Sequence, residues 1–188
     1  ERVLIPRADT EVLVETVEKY LREGMKILDV CTGSGCILLS LLSRNNCTGT
    51  GTDISECAIE LAKINADKLG VQAAFIRTDF MEGISGTYDV IVSNPPYIPS
   101  SVIPTLMEEV RDFEPISALD GGEDGLVFYK RMAEECQSHL KRGGLLALEI
   151  GCEQAEAVSL LLQEQGLTEI TVVSDYAGLD RVVTAKRP

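Results

Sequence analysis

The chain has no tryptophan, one histidine (His139) and no pair of cysteines spaced C-x-x-C. Structural zinc needs clustered ligand pairs, so no metal site is expected. The six cysteines, at 31, 36, 47, 57, 136 and 152, are scattered through apolar contexts, where they read as small core residues of a reducing cytosol. Basic residues are few: 17 against 30 acids, for a net charge of −13 and no Lys/Arg run. Such a surface repels a polyanion, which argues against non-specific nucleic-acid binding. Long apolar runs are also missing, so neither a bilayer span nor a signal peptide is expected, and the expected location is cytoplasmic. Nor is there a Gly-Lys-Ser/Thr phosphate cradle. The glycine loop at 33–35 does not complete G-x-G-x-x-G, because position 38 is leucine.

What is present is an ordinary globular composition. The chain's 188 residues are 45% hydrophobic, enough for one domain that buries about 70% of its unfolded surface. Apolar strands and amphipathic helices alternate. The pattern predicts a helix from Asp9 or Thr10 to about Glu23, strands at 26–30, 48–52, 73–77, 88–93 and 145–150, and helices at 36–43, from the Ser55 cap to Gly70, at 126–140 and at 153–165. Gly143-Gly144 is read as the stop of the helix that starts near Leu126, and Asp53 as the residue closing the second strand. Two final strands, 168–174 and 181–186, lack a helix between them, so the last is expected to run antiparallel. The fold class is α/β: a mostly parallel sheet with helices on both faces. From Pro95 to Asp124 a long Pro-, Gly- and acid-rich excursion carries a helix near 103–110; loops of this length in compact domains are functional or disordered. Glu1-Arg2-Val3-Leu4-Ile5-Pro6 lacks an initiator Met, and the expectation is a fragment with an upstream domain missing.

Four stretches carry chemistry. Asp29-Val30-Cys31-Thr32-Gly33-Ser34-Gly35 joins the first strand to a helix, where open α/β sheets bind ligands and glycines let the backbone approach them. Asp53, with Ile54 after it, ends the second strand; its carboxylate can accept both hydroxyls of a ribose, or it can favour the dipole of the helix that follows. Asp79-Phe80 follows the third strand. The acid can accept from an adenine amino group while the ring covers the base; the competing reading is a turn Asp and a core Phe. Together they describe a nucleoside pocket without a phosphate grip, which points to S-adenosylmethionine. Asn94-Pro95-Pro96-Tyr97 ends the fourth strand. Two prolines cannot continue a sheet. The tetrapeptide offers acceptors, at the Asn94 side-chain oxygen and the Pro95 carbonyl, beside the Tyr97 ring. That arrangement suits a planar NH2 group, with two hydrogens to place.

At these residues the chain resembles the class I S-adenosylmethionine-dependent methyltransferases. Within them it resembles the release-factor glutamine methyltransferases of the HemK/PrmC type. The resemblance is carried by Asn94 to Tyr97, Ile5-Pro6-Arg7-Ala8-Asp9-Thr10-Glu11, Val110-Arg111-Asp112-Phe113-Glu114-Pro115, Leu148-Glu149-Ile150-Gly151 and Asp175-Tyr176-Ala177-Gly178. It implies a Rossmann-like, seven-stranded sheet with the last strand antiparallel. It also implies methyl transfer to the N5 amide nitrogen of glutamine in a peptide chain release factor, leaving S-adenosylhomocysteine. On that pattern the catalytic residues are Asn94, Pro95 and Tyr97, with Pro96 also against substrate. The cofactor is held by Asp29, Thr32, Gly33, Gly35, Asp53, Ile54, Asp79, Phe80 and Asn94. Arg7 and Thr10 either close over the cofactor or leave Thr10 and Asp9 as plain helix caps. Glu114 and Arg111 either bind the substrate loop or form an exposed ion pair. The family carries glycine where this chain has Cys31, and a small N-terminal helical domain that docks the release factor. The enzyme alternative is an adenine-N6 nucleic-acid methyltransferase; the non-enzyme alternative is a scaffold that keeps the fold without the chemistry.

Overall fold

In the computed structural model, which describes residues 3–188, seven strands form one sheet in the order β3-β2-β1-β4-β5-β7-β6. In chain order the elements are α1 (Thr10–Glu18), β1 (Lys26–Val30), α2 (Cys36–Arg44), β2 (Thr48–Asp53), α3 (Glu56–Leu69), β3 (Ala74–Arg77), β4 (Tyr88–Ser93), α4 (Glu108–Arg111), α5 (Val127–His139), β5 (Leu140–Glu149), α6 (Ala155–Glu164), β6 (Thr168–Ser174) and β7 (Asp180–Lys186). The first five strands pair in parallel, and β7 inserts antiparallel between β5 and β6. The antiparallel last strand expected from the missing helix is therefore present. Among the described residues no helix is long and apolar enough to cross a membrane.

The core lies in two layers because the central strands are apolar on both faces. On one face Leu28, Ile91, Leu146 and Leu148 pack with Tyr129, Met132 and Cys136 of α5 and Val158 and Leu162 of α6. On the other, Ile27, Val90, Val92 and Ala147 pack with Leu13 and Val17 of α1 and Leu38 and Leu41 of α2. Glycine in the second strand, a poor strand former, has a packing cause. A Cβ on Gly51 would stand 2.8 Å from both Phe75 Cδ1 and Thr32 Oγ1.

Boundaries differ from the sequence reading in four places. α1 ends at Glu18 rather than near Glu23, and Asp9, its N-cap, has helical backbone angles and makes no side-chain cap bond. α5 stops at His139, and β5 begins at Leu140 and runs through Gly143-Gly144 with a register shift opposite Tyr88 to Val90. Those glycines bend a strand rather than stop a helix. β2 runs from Thr48 to Asp53, one residue past the expected 48–52, so that Asp53 ends the strand as expected. The helix expected at 103–110 is a single turn at Ile103–Thr105 followed by the four-residue α4.

The excursion between β4 and α5 is ordered at its root. Ile98 bridges Asp120 in parallel, with Ile98 N donating to Leu119 O and Gly121 N to Ile98 O, both at 2.9 Å. The segment after Tyr97 is thereby tied back beside the C-terminal ends of β1 and β4, where the strand order reverses and open α/β sheets place their ligands.

Candidate active site

A cavity of about 530 Å³ opens at this switch point. Its floor comes from the β1–α2 loop (Cys31, Thr32, Gly33 and Ser34), and its sides from Thr52, Asp53 and Ile54 after β2 and from Asp79 and Phe80 after β3. Asn94 and Pro96 stand at one end. Arg7 and Thr10 from the N-terminal segment, and Pro115 to Ala118 from the excursion, cover it.

The β1–α2 turn turns sharply because three of its residues take left-handed backbone angles: Cys31 (φ 60), Gly33 (φ 55) and Gly35 (φ 78). Glycine adopts this region freely, whereas a residue with a Cβ is strained there by about 1–2 kcal/mol. Cys31 therefore occupies a glycine-type conformation, at the position where the family it resembles carries glycine. Gly35 does not approach the cavity. A Cβ there would meet Ala62 at 3.1 Å and Leu39 and Phe75 at 3.3 Å, so this glycine serves the packing of α2 on α3 and β3.

Asp53 is fixed by the backbone. Gly33 N donates to its Oδ2 at 2.9 Å and Ser55 N to its Oδ1 at 2.8 Å. Burial raises its pKa against these hydrogen bonds. Each carboxylate oxygen keeps a lone pair for a ligand hydroxyl. Asp29 lies beneath the turn, fully buried, and accepts from Thr32 Oγ1 at 2.6 Å while its Oδ1 has no partner. Burial pushes its carboxyl up to about 7, against the Thr32 hydrogen bond. It is a support of the loop, not part of the cavity wall.

Asp79 and Phe80 are joined by a residue the sequence reading did not single out. Arg131 of α5 donates from Nη1 to Asp79 Oδ1 at 2.9 Å, and its guanidinium stacks 4.6 Å over the Phe80 ring. Phe128 adds a tilted ring 6.2 Å from Phe80. The far end of the cavity is thus aromatic with an acid at its rim, as a purine with an exocyclic amine requires. Spacing on α5 gave no hint of Arg131, because its partners lie some 50 positions earlier in the sequence.

At the other end, the side-chain Nδ2 of Asn94 donates to Thr10 Oγ1 at 3.4 Å. Pro95 is buried outside the wall, and the Tyr97 ring packs against the core and toward Gly151, its backbone carbonyl accepting from Gln154 Nε2 at 3.0 Å. Of the twelve expected site residues, Thr32, Gly33, Asp53, Ile54, Asp79, Phe80, Asn94 and Pro96 line the cavity; Asp29, Gly35, Pro95 and Tyr97 stand behind it. Glu114 is buried and bonded to Arg7, while Arg111 pairs with the adjacent, exposed Asp112; the pairing of Glu114 with Arg111 on the surface is not what forms.

Residues 7–109 match the family model described as "Methyltransferase small domain". The chain is 42% identical to the release factor glutamine methyltransferase of Agrobacterium fabrum over 196 residues, covering 100% of this chain and 68% of the relative. It is 45% identical to that of Clostridium acetobutylicum, covering 98% and 68%. It thus spans about two thirds of the length of these relatives. The solved structure of the release-factor-specific protein-(glutamine-N5) methyltransferase from Alicyclobacillus acidocaldarius superposes with a TM-score of 0.60 at 32% identity, covering 97% of this chain and 94% of that one.

Proposed function

Because the chain belongs to the release factor glutamine methyltransferases, we propose that its cavity binds S-adenosylmethionine and that Asn94 presents a glutamine side chain of a peptide chain release factor to it. The single observation that carries the reading is the position of Asn94, on the wall of the same cavity that Asp53 and Phe80 line. A cofactor pocket and an amide acceptor share one enclosure.

The donor set fits that cofactor. Asp53 offers oxygens to ribose hydroxyls, Phe80 and Phe128 offer faces to a purine, and Asp79 has a carboxylate oxygen left over from Arg131. When bound, S-adenosylmethionine supplies a methyl group on a positively charged sulfur.

The protein's part is to make a poor nucleophile attack. An amide nitrogen shares its lone pair with its carbonyl. Asn94 Oδ1 and the Pro95 carbonyl accept the two amide hydrogens, which aims the nitrogen and draws electron density onto it without prior deprotonation. Tyr97, behind this pair, shields the amide from water. After attack the nitrogen releases one proton. The excursion beside the cavity exposes Val102, Met107, Phe113 and Ile116, an apolar approach suited to a protein substrate rather than a nucleic acid. The net charge of −13 also opposes the adenine alternative.

The test is mass spectrometry of a release factor incubated with the enzyme and S-adenosylmethionine. A gain of one methyl on a glutamine supports the reading; methylation of DNA or RNA in its place overturns it.

A further inference from the structure

Glu149 closes β5 beside Asn94, yet no step above uses it. It is 2% exposed, an unusual site for a carboxylate, and its Oε2 has no partner. Ser93 pairs with Leu148 in the parallel β4–β5 register, so Asn94 and Glu149 follow side by side at the ends of adjacent strands, and Asn94 Nδ2 donates to Thr10 Oγ1 at 3.4 Å. Tyr129 OH, donating to the Glu149 carbonyl at 2.8 Å, and Ile150 N, donating to Arg181 O at 2.9 Å, hold the backbone on both sides.

An ionised carboxylate has acceptors only. Each neighbour that faces it must turn a donor towards it. For Asn94 that donor is Nδ2, and because an amide carries its nitrogen and oxygen on opposite sides, Oδ1 is then turned away. The Thr10 hydroxyl, which can donate or accept, fits either orientation of an amide of nearly equal shape.

We propose that Glu149 is a positioning residue: its carboxylate, with Thr10, takes the Nδ2 hydrogens of Asn94 and so holds Oδ1 towards the incoming glutamine amide. The assignment rests on the amide-transfer reading. A flipped Asn94 would present two donors to a substrate nitrogen that itself carries only donors, and the clamp would fail.

Burial pushes the Glu149 carboxyl up to about 7, against the Thr10 and Asn94 hydrogen bonds and the Arg181 charge. Protonated, it has a hydrogen of its own and no longer imposes the orientation. The clamp should therefore loosen as pH falls through about 7. The groups that face Glu149 are Asp9 ahead of α1, Arg181 on β7, Tyr97 after β4, Tyr129 on α5 and Cys36 on α2. Arg181 stays charged, and the tyrosines and the thiol, all pushed up, stay neutral near pH 7. Asp29, also raised to about 7, lies two strands away on β1.

The experiment compares wild type with Glu149→Gln and Glu149→Leu, using a purified release factor and S-adenosylmethionine, and follows the Asn94 side-chain amide by 15N NMR. Glu149→Leu should lower kcat roughly a hundredfold, the cost of a misaligned catalytic group, with cofactor affinity changed less than about twofold. In wild type the Asn94 amide signal and kcat should both titrate near 7, and both steps should vanish in Glu149→Gln, the isosteric variant that keeps the fold. An unchanged kcat in Glu149→Leu, or a step that persists in Glu149→Gln, overturns the assignment. The NMR titration needs no turnover, so a wild type that shows it but methylates no glutamine would sink the functional reading, whereas a missing titration in an active wild type would sink the Glu149 assignment alone.

Discussion

Arg7 Nη2 donates to Glu114 Oε1 at 2.5 Å, joining the segment ahead of α1 to the excursion after β4 across 107 positions of sequence. The Glu114 side chain is 3% exposed while that of Arg7 is 45% exposed. Removing the cation leaves a buried charge unpaired. Arg7→Ala should cost about 2 kcal/mol in urea unfolding, a value reduced from that of a fully buried pair because Arg7 is half in water. Adding Glu114→Gln should recover part of it. A loss under about 0.5 kcal/mol in the single variant would reduce the pair to surface decoration.

Asp53 is the cofactor contact with the clearest signature. Asp53→Ala removes a carboxylate that two backbone amides hold in place. S-adenosylhomocysteine binding should weaken by about 1.5–3 kcal/mol, the worth of hydrogen bonds to a charged group. Isothermal calorimetry reads it directly, and unchanged affinity would remove the ribose role.

Cys31 sits at φ 60, a conformation that glycine takes at little cost. Cys31→Gly should leave the fold intact and raise stability by up to about 1 kcal/mol, the strain relieved less the added freedom of the unfolded chain. If the melting temperature drops instead, packing of the thiol outweighs the backbone strain.

Asp29 gives the fold a dependence on pH. Its carboxyl is pushed up to about 7 from an ordinary 3.8. The folded state therefore binds a proton that the unfolded state has already lost. Stability from this group is present in full below about 4 and fades as pH rises through about 7, by on the order of 4 kcal/mol at most. Between pH 5 and 8 the wild type should lose more stability than Asp29→Asn. Parallel curves for the two proteins would mean that another group sets the slope.

The strand and helix alternation was legible because most central strands are continuous apolar runs and most helices carry a 3.6-residue stripe. β5 was read short because the apolar period of α5 runs on into Leu140, while Lys141 and Arg142 look like the polar end of a helix. The glycine loop, Asp53, Phe80 and Asn94 were legible because each sits where a strand ends. Arg131, Glu149 and the Arg7–Glu114 pair were not. Each acquires its role from a partner distant in sequence, and Glu149, as the polar end of Leu145-Leu146-Ala147-Leu148, has the pattern of a residue that faces water. Tyr97 is marked by its motif, while the packing of its ring in the layer behind the wall is set by the core and not by the local sequence.

The central claim is that Asn94 aims a glutamine amide at a bound methyl donor. It is tested most directly by comparing wild type with Asn94→Ala in methylation of a release factor, read by mass spectrometry, with S-adenosylhomocysteine affinity measured on the same samples. The account predicts a loss of methyl transfer of roughly a hundredfold or more, with cofactor binding nearly unchanged. Near-normal methylation by Asn94→Ala would contradict it.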